Sequence, residues 1–223
     1  MNQESRSAFS SWLLLTYKVP TEPSKLRVAI WRRIRSLGAV YLQSGLCVLP
    51  GRSEHQRQMR MVQSDIEQAG GEAMIFETQA MDAKQQELVV GRFKQDRDQD
   101  YEEFLDKCED YKGEIAKEFL ADHYTFAEVK ENDEDLKKLK GWLDRIKALD
   151  FFGAPARATA EQQLAECEVL LENYANEVFE REQSGKGLPN KPAAAKRTAT
   201  KAGAGENTQA AKSVPRKRAG KAS

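Results

Sequence analysis

"LGAVYLQSGLCVLP", residues 37–50, decides the architecture of this chain. Two short apolar runs, 39–43 and 46–50, are joined by Ser44-Gly45 alone, which is a hairpin signal. Gly38 precedes the first run and stands where a helix would end. Upstream, Ser24 reads as an N-cap, and Leu26, Ile30, Ile34 and Leu37 fall on one stripe of a helix over 24–37 that would face a sheet. Further back, "WLLLTYKV" (12–19) reads as a buried strand whose end is punctuated by Pro20 and Pro23. Downstream, 52–69 is helical, with Met59, Val62 and Ile66 on one face and Gly70-Gly71 as the stop. "EAMIFETQA" (72–80) is a fourth strand. The order β-α-β-β-α-β over 10–81 predicts a ferredoxin-like α+β domain.

From 82 to 184 the period becomes helical throughout. Tyr101, Phe104 or Leu105, Cys108, Tyr111, Ile115 and Phe119 step at three and four. Leu136, Leu139, Leu143, Ile146 and Leu149 do the same, as do Ala160, Leu164, Cys167, Leu171, Tyr174 and Val178. Each stripe is a seam that needs a partner. "DFFGAP" (150–155) holds Gly153 and Pro155 and reads as the turn of a helical hairpin that follows a long lead-in helix. Residues 185–223 contain two bulky aliphatics, Leu188 and Val214, and no aromatic. Such a segment cannot bury enough to offset its ordering entropy, so it is expected to be a disordered Lys/Ala-rich tail.

The net charge of zero hides a segregation. Residues 185–223 carry ten basic side chains against Glu206 alone, while the rest of the chain carries 25 basic and 34 acidic ones. A basic tail of this kind tracks polyanions by counterion release, and Lys196, Arg197, Arg216, Lys217 and Arg218 are its candidate contacts. The longest apolar run, 12–15, is far short of the roughly 20 residues that span a bilayer. No signal peptide is evident, and three scattered cysteines form no CxxC pair, so a reducing cytoplasm is the expected compartment.

The first helix concentrates the chemistry. Trp31, Arg32, Arg35 and Lys25 lie away from its apolar stripe, and Arg27 and Arg33 flank it. Arginine matches phosphate and oxyanion geometry through its planar fork, and tryptophan adds stacking or cation–π contact. Arg27, Trp31, Arg32 and Arg35 are therefore the candidate nucleic-acid or oxyanion contacts. The competing reading is a solvated helix face whose arginine stems cover apolar surface. His55 and His123 are far apart, with no metal-ligand spacing around them, so no metal or cofactor is expected. No nucleophile motif or phosphate loop is present, and no enzyme activity is expected. The acidic run "ENDED" (131–135) reads as charge preceding a helix N-terminus rather than a cation site. Cys108 and Cys167 fall on apolar seams as small core residues, and the facing of Cys47 is left open.

"SSWLLLTYKVPTEPSKLRVAIWRRIRSLGAVYLQSGLCVLP" resembles the opening of the ChrB N-terminal domain family, and "WLDRIKALDFFGAP" with "AECEVLLENYANEVF" resembles its later part. The likeness runs from Ser10 to Glu182 in the same order. The first segment is also similar, more distantly, to the ferredoxin-like middle domain of PaaX repressors. The resemblance implies a regulatory or accessory protein of a chromate-resistance or stress operon, with DNA as partner and an oxyanion such as chromate as effector. Family members usually carry a second, C-terminal domain thought to take part in sensing; here a basic tail is expected in its place. The alternative is a non-enzymatic module whose helical hairpin docks a separate sensor or other protein partner. A homodimer through sheet edges or seams is compatible with either. The first strand ends in Thr16-Tyr17-Lys18, without the metal-holding aspartate found there in some ferredoxin-like nucleases, and that disfavours a nuclease.

Overall fold

Alternating apolar residues in the first run place Leu13 and Leu15 on one side of a strand and Trp12 and Leu14 on the other. In the computed structural model, which describes residues 11–184, this strand is β1 (Trp12–Lys18). It is followed by α1 (Ser24–Ser36), β2 (Val40–Gln43), β3 (Leu46–Pro50), α2 (Ser53–Gln68), β4 (Glu72–Thr78), α3 (Ala83–Leu120), α4 (Phe126–Leu149) and α5 (Arg157–Gln183). The sheet order is β2-β3-β1-β4. Every neighbouring pair is antiparallel, with Leu13 opposite Leu49 on one side and Glu77 on the other. This is the ferredoxin-like arrangement expected from the element order. Among the described residues no helix is long and apolar enough to cross a membrane.

Both faces of the sheet are used. Leu13, Leu15, Cys47 and Leu49 pack against Ile30 and Ile34 of α1 and against Met59, Val62 and Ile66 of α2. Each such burial stabilises by about 1.5–3 kcal/mol. Cys47, whose facing the strand pattern left open, thus belongs to the side covered by α1 and α2. Two local expectations are corrected. Leu26 is 40% exposed, because the core-facing part of α1 begins only at Ile30. The N-cap position falls on Pro23, with no side-chain cap bond, and the Leu26 amide takes the Pro23 carbonyl instead.

The second face, with Trp12, Val40 and Val48, is covered by Phe93 of α3. The 38-residue α3 therefore spans two cores. Its first half lies on the sheet, and its second half supplies Tyr101, Phe104, Cys108, Tyr111 and Ile115 to a three-helix bundle. The seams of α4 and α5 close on that row: Leu136, Leu139, Leu143 and Ile146 meet Ala160, Cys167, Leu171, Tyr174 and Val178. All three stripes are thus satisfied within the chain. The run 131–135 lies inside α4, not before it. The cap is Thr125, whose hydroxyl accepts from the Glu128 amide at 3.2 Å, and Asp133 and Asp135 pair with Lys137 and Lys138. A Ser/Thr oxygen close to the start of the apolar period outcompetes a carboxylate run further in.

The 150–155 turn locks the bundle to the sheet. Asp150 is buried; its carboxylate accepts from the Ala154 amide at 3.0 Å and from the Tyr101 hydroxyl at 3.2 Å. Phe151 and Phe152 then insert beside Phe93, with ring centroids 6.0 and 5.2 Å away, and Phe152 lies 5.8 Å from Trp12. Gly38, at φ +75°, lets the chain pass under this turn: a Cβ there would stand 3.1 Å from the Phe151 ring.

Candidate functional site

Helix α1 carries five basic residues and no acidic one. With Ile30 and Ile34 committed to the sheet, helical geometry distributes the rest. Arg27, Trp31 and Arg35 follow one another at intervals of four along one flank. Lys25, Val28 and Arg32 form the outer crest, and Arg33 points along the opposite flank toward α2. The side chains sort accordingly. Arg33 pairs with Asp65 of α2. Arg35 is half-buried, contacts Asp96 of α3 at 3.4 Å, and holds its guanidinium carbon 5.9 Å from the Trp31 ring centroid. Arg27 and Arg32 are exposed, and Trp31 is 49% exposed.

Arg27, Trp31 and Arg35 are therefore brought together, Arg32 stands on the adjacent crest, and Arg35 is the member already engaged by a carboxylate. A guanidinium held over an indole with one carboxylate contact is pre-oriented, and it keeps donors for a second anion. Arg27 and Arg32 are the members with the most freedom. Lys196, Arg197, Arg216, Lys217 and Arg218 lie outside the described residues, as does the whole segment read as a tail.

Two basic residues escaped the sequence reading. Arg57 and Arg60 are exposed on α2, the helix beside α1. Attention to charge on the side of α2 opposite Met59 and Ile66 would have found them. Nearer the sheet, the Tyr17 and Tyr41 hydroxyls hydrogen-bond at 2.9 Å. Burial first, and that bond second, push the Tyr41 phenol far above its ordinary range, so it stays neutral and acts as a polar brace.

His55 and the three cysteines are packed inside the fold. The His55 ring is buried, donates from Nδ1 to the Pro50 carbonyl at 2.8 Å, and lies 4.9 Å from Phe151. Burial lowers its pKa below the ordinary value. Cys47, Cys108 and Cys167 are all buried, and burial pushes the Cys47 thiol up to about 12. Among the described residues no three or more His, Cys, Asp or Glu side chains gather where a metal ion could be held.

Charge divides by layer as well as by segment. Residues 11–81 hold nine Lys and Arg against six Asp and Glu, whereas residues 82–184 hold 15 against 27. The cationic surface is thus the outer side of α1, whereas α2 holds two basic residues against three acidic ones, and the three-helix bundle is anionic.

The sequence that builds this fold matches a known family. The chain is 27% identical over 163 residues to Protein ChrB of Cupriavidus metallidurans, an alignment covering 73% of this chain and 47% of that protein. The chain thus spans about half the length of the curated relative it matches. Residues 27–185, which begin in α1 and run through the hairpin, the α3–α5 bundle and its 150–155 turn, match the family described as Protein ChrB, N-terminal. With the match extending over most of the sheet domain and all three bundle helices, the chain belongs to the ChrB N-terminal family.

Proposed function

We propose that this chain is a non-enzymatic regulatory or accessory protein of a chromate-resistance or stress operon, and that it binds DNA through the outer side of α1. The observation that carries the reading is a helix with five basic residues and no acidic one, on which Arg27 and Arg32 are exposed beside Trp31. Family membership supports the association with chromate resistance. Arginine side chains on a helix crest bind phosphates without base readout, whereas Trp31 can stack on an exposed base or sugar. Chromate, a divalent oxyanion, presents the same geometry to the Arg27, Arg32 and Arg35 forks and would compete for them.

Docking of a separate protein through the helical hairpin would have to use residues outside the three seams, because those seams are spent in the bundle core. No other observation favours that reading over the first.

Fluorescence anisotropy tests the proposal. The full chain is titrated with duplex DNA from upstream of its own gene and with a scrambled duplex, with and without chromate. R27A/R32A is expected to weaken binding at least about tenfold and to flatten the dependence of log affinity on log salt by roughly 2. Release by chromate, lost in the same variant, supports the oxyanion part of the reading. If R27A/R32A binds as the parent does while truncation after Ser184 abolishes binding, α1 is not the DNA surface and the proposal fails.

A further inference from the structure

We propose that two copies of this chain join edge to edge through β4, forming one antiparallel eight-stranded sheet across a two-fold axis at Ile75. In the order β2-β3-β1-β4, β4 is an edge strand, and no described element pairs with its outer side. None of its seven residues is buried. Sheet edges are ordinarily protected by proline, lysine, a bulge or a covering element. "EAMIFET" contains no proline or lysine, and its ladder with β1 runs unbroken from Glu72 to Thr78.

The strand is exposed on the side that α3 covers elsewhere. Its register places Met74 beside Thr16 and Phe76 beside Leu14, and these two side chains are 60% and 50% exposed. The cover of α3 ends at the aromatic group of Trp12, Phe93 and Phe152, so the outer strip of the sheet remains bare. On the other side, a cleft of about 340 Å³ runs along the edge between β4 and Gln56, Arg60 and Gln63 of α2.

A second copy suits this edge because the strand is complementary to itself. An antiparallel two-fold pairing centred on Ile75 is the register that engages all seven residues. It sets Met74 opposite Phe76 of the other copy, Ala73 opposite Glu77, and Glu72 opposite Thr78. Like charges never meet directly, and apolar side chains face each other across the axis, the pairing that stabilises sheets. Arg60 and Glu77 both line the cleft, so a cation stands beside the edge that a second copy's Glu77 would approach. The Ala73 carbonyl already accepts from Gln63 Nε2 at 3.2 Å, a bond that the second strand would share or displace. Because α2, not α1, is the helix packed beside β4, the pairing leaves the Arg27–Trp31–Arg35 flank open, and it does not depend on the DNA reading.

Sedimentation equilibrium of the full chain at micromolar concentration tests this, with circular dichroism as the control for folding. The parent is expected at twice the 25.2 kDa chain mass. M74K/F76K sets lysine against lysine across the axis and is expected to weaken dimerisation at least about a hundredfold without altering the spectrum. M74K/F76E sets opposite charges in the same register and is expected to restore the dimer at low salt. A monomeric parent, a dimeric M74K/F76K, or loss of the dimer in both variants alike would each overturn the proposal.

Discussion

Gly45 sits at φ +73° in the β2–β3 hairpin, and a Cβ there would lie 2.6 Å from the Tyr17 carbonyl oxygen. The same close approach lets the Tyr17 amide donate to the Gly45 carbonyl at 2.8 Å, tying the hairpin to the end of β1. Gly45→Ala combines an unfavourable backbone region with a clash against main chain. It is expected to destabilise by about 1–3 kcal/mol, read as a lower urea midpoint with an unchanged slope. His55 provides a pH signature at the same scale. Its folded pKa lies below the value of 6.5 that it regains on unfolding, because burial disfavours the charged ring. The unfolded chain therefore binds the proton more readily below that value. The stability that His55 contributes is complete above it and declines as the pH falls. Urea midpoints measured between about pH 7.5 and about pH 5.5 should drop for the parent and drop less for His55→Gln.

Among the elements, the turn after α4 holds the most leverage. The Asp150 carboxylate satisfies the Tyr101 hydroxyl and the Ala154 amide in a buried setting, and Arg157 stands 3.9 Å away. Asp150→Ala leaves those donors without a partner and is expected to cost about 1–3 kcal/mol, with Asp150→Asn costing less. Because Phe151 and Phe152 follow directly, the loss should loosen the contact between bundle and sheet. Hydrogen exchange would show it as faster exchange in the first half of α3 as well as in the turn. The order and type of all the elements down to β4 could be read from the hairpin signal and the apolar stripes, because period and turn residues are local properties. The reach of α1's core face was not: Leu26 matches the stripe by spacing, yet the helix meets the sheet only from Ile30 onward. The acidic run at 131–135 misled for a related reason, since capping is decided by one oxygen at one position, and Thr125 occupies it.

Over the whole molecule the decisive quantity is where the charge lies. If the anionic bundle stays clear of bound DNA, Glu172→Gln with Glu180→Gln should change affinity by less than about threefold, through the long-range field alone. Both residues are exposed on α5. Arg27→Ala with Arg32→Ala should account for most of the salt dependence that the described residues contribute. Anisotropy titrations between about 50 mM and about 200 mM salt would separate these contributions.

The sequence by itself determined the β-α-β-β-α-β order, the helical seams, the concentration of arginine on one helix and the family resemblance. All of these follow from periodicity, turn chemistry and residue type along a continuous stretch. Only the tertiary structure decided which arginines are free, because Asp65 and Asp96, which engage Arg33 and Arg35, stand 32 and 61 residues away. It alone decided that the three seams close on one another, and that β4 is left as an unpaired edge while α3 covers the rest of the sheet. Such outcomes depend on contacts between distant segments, which local pattern does not specify.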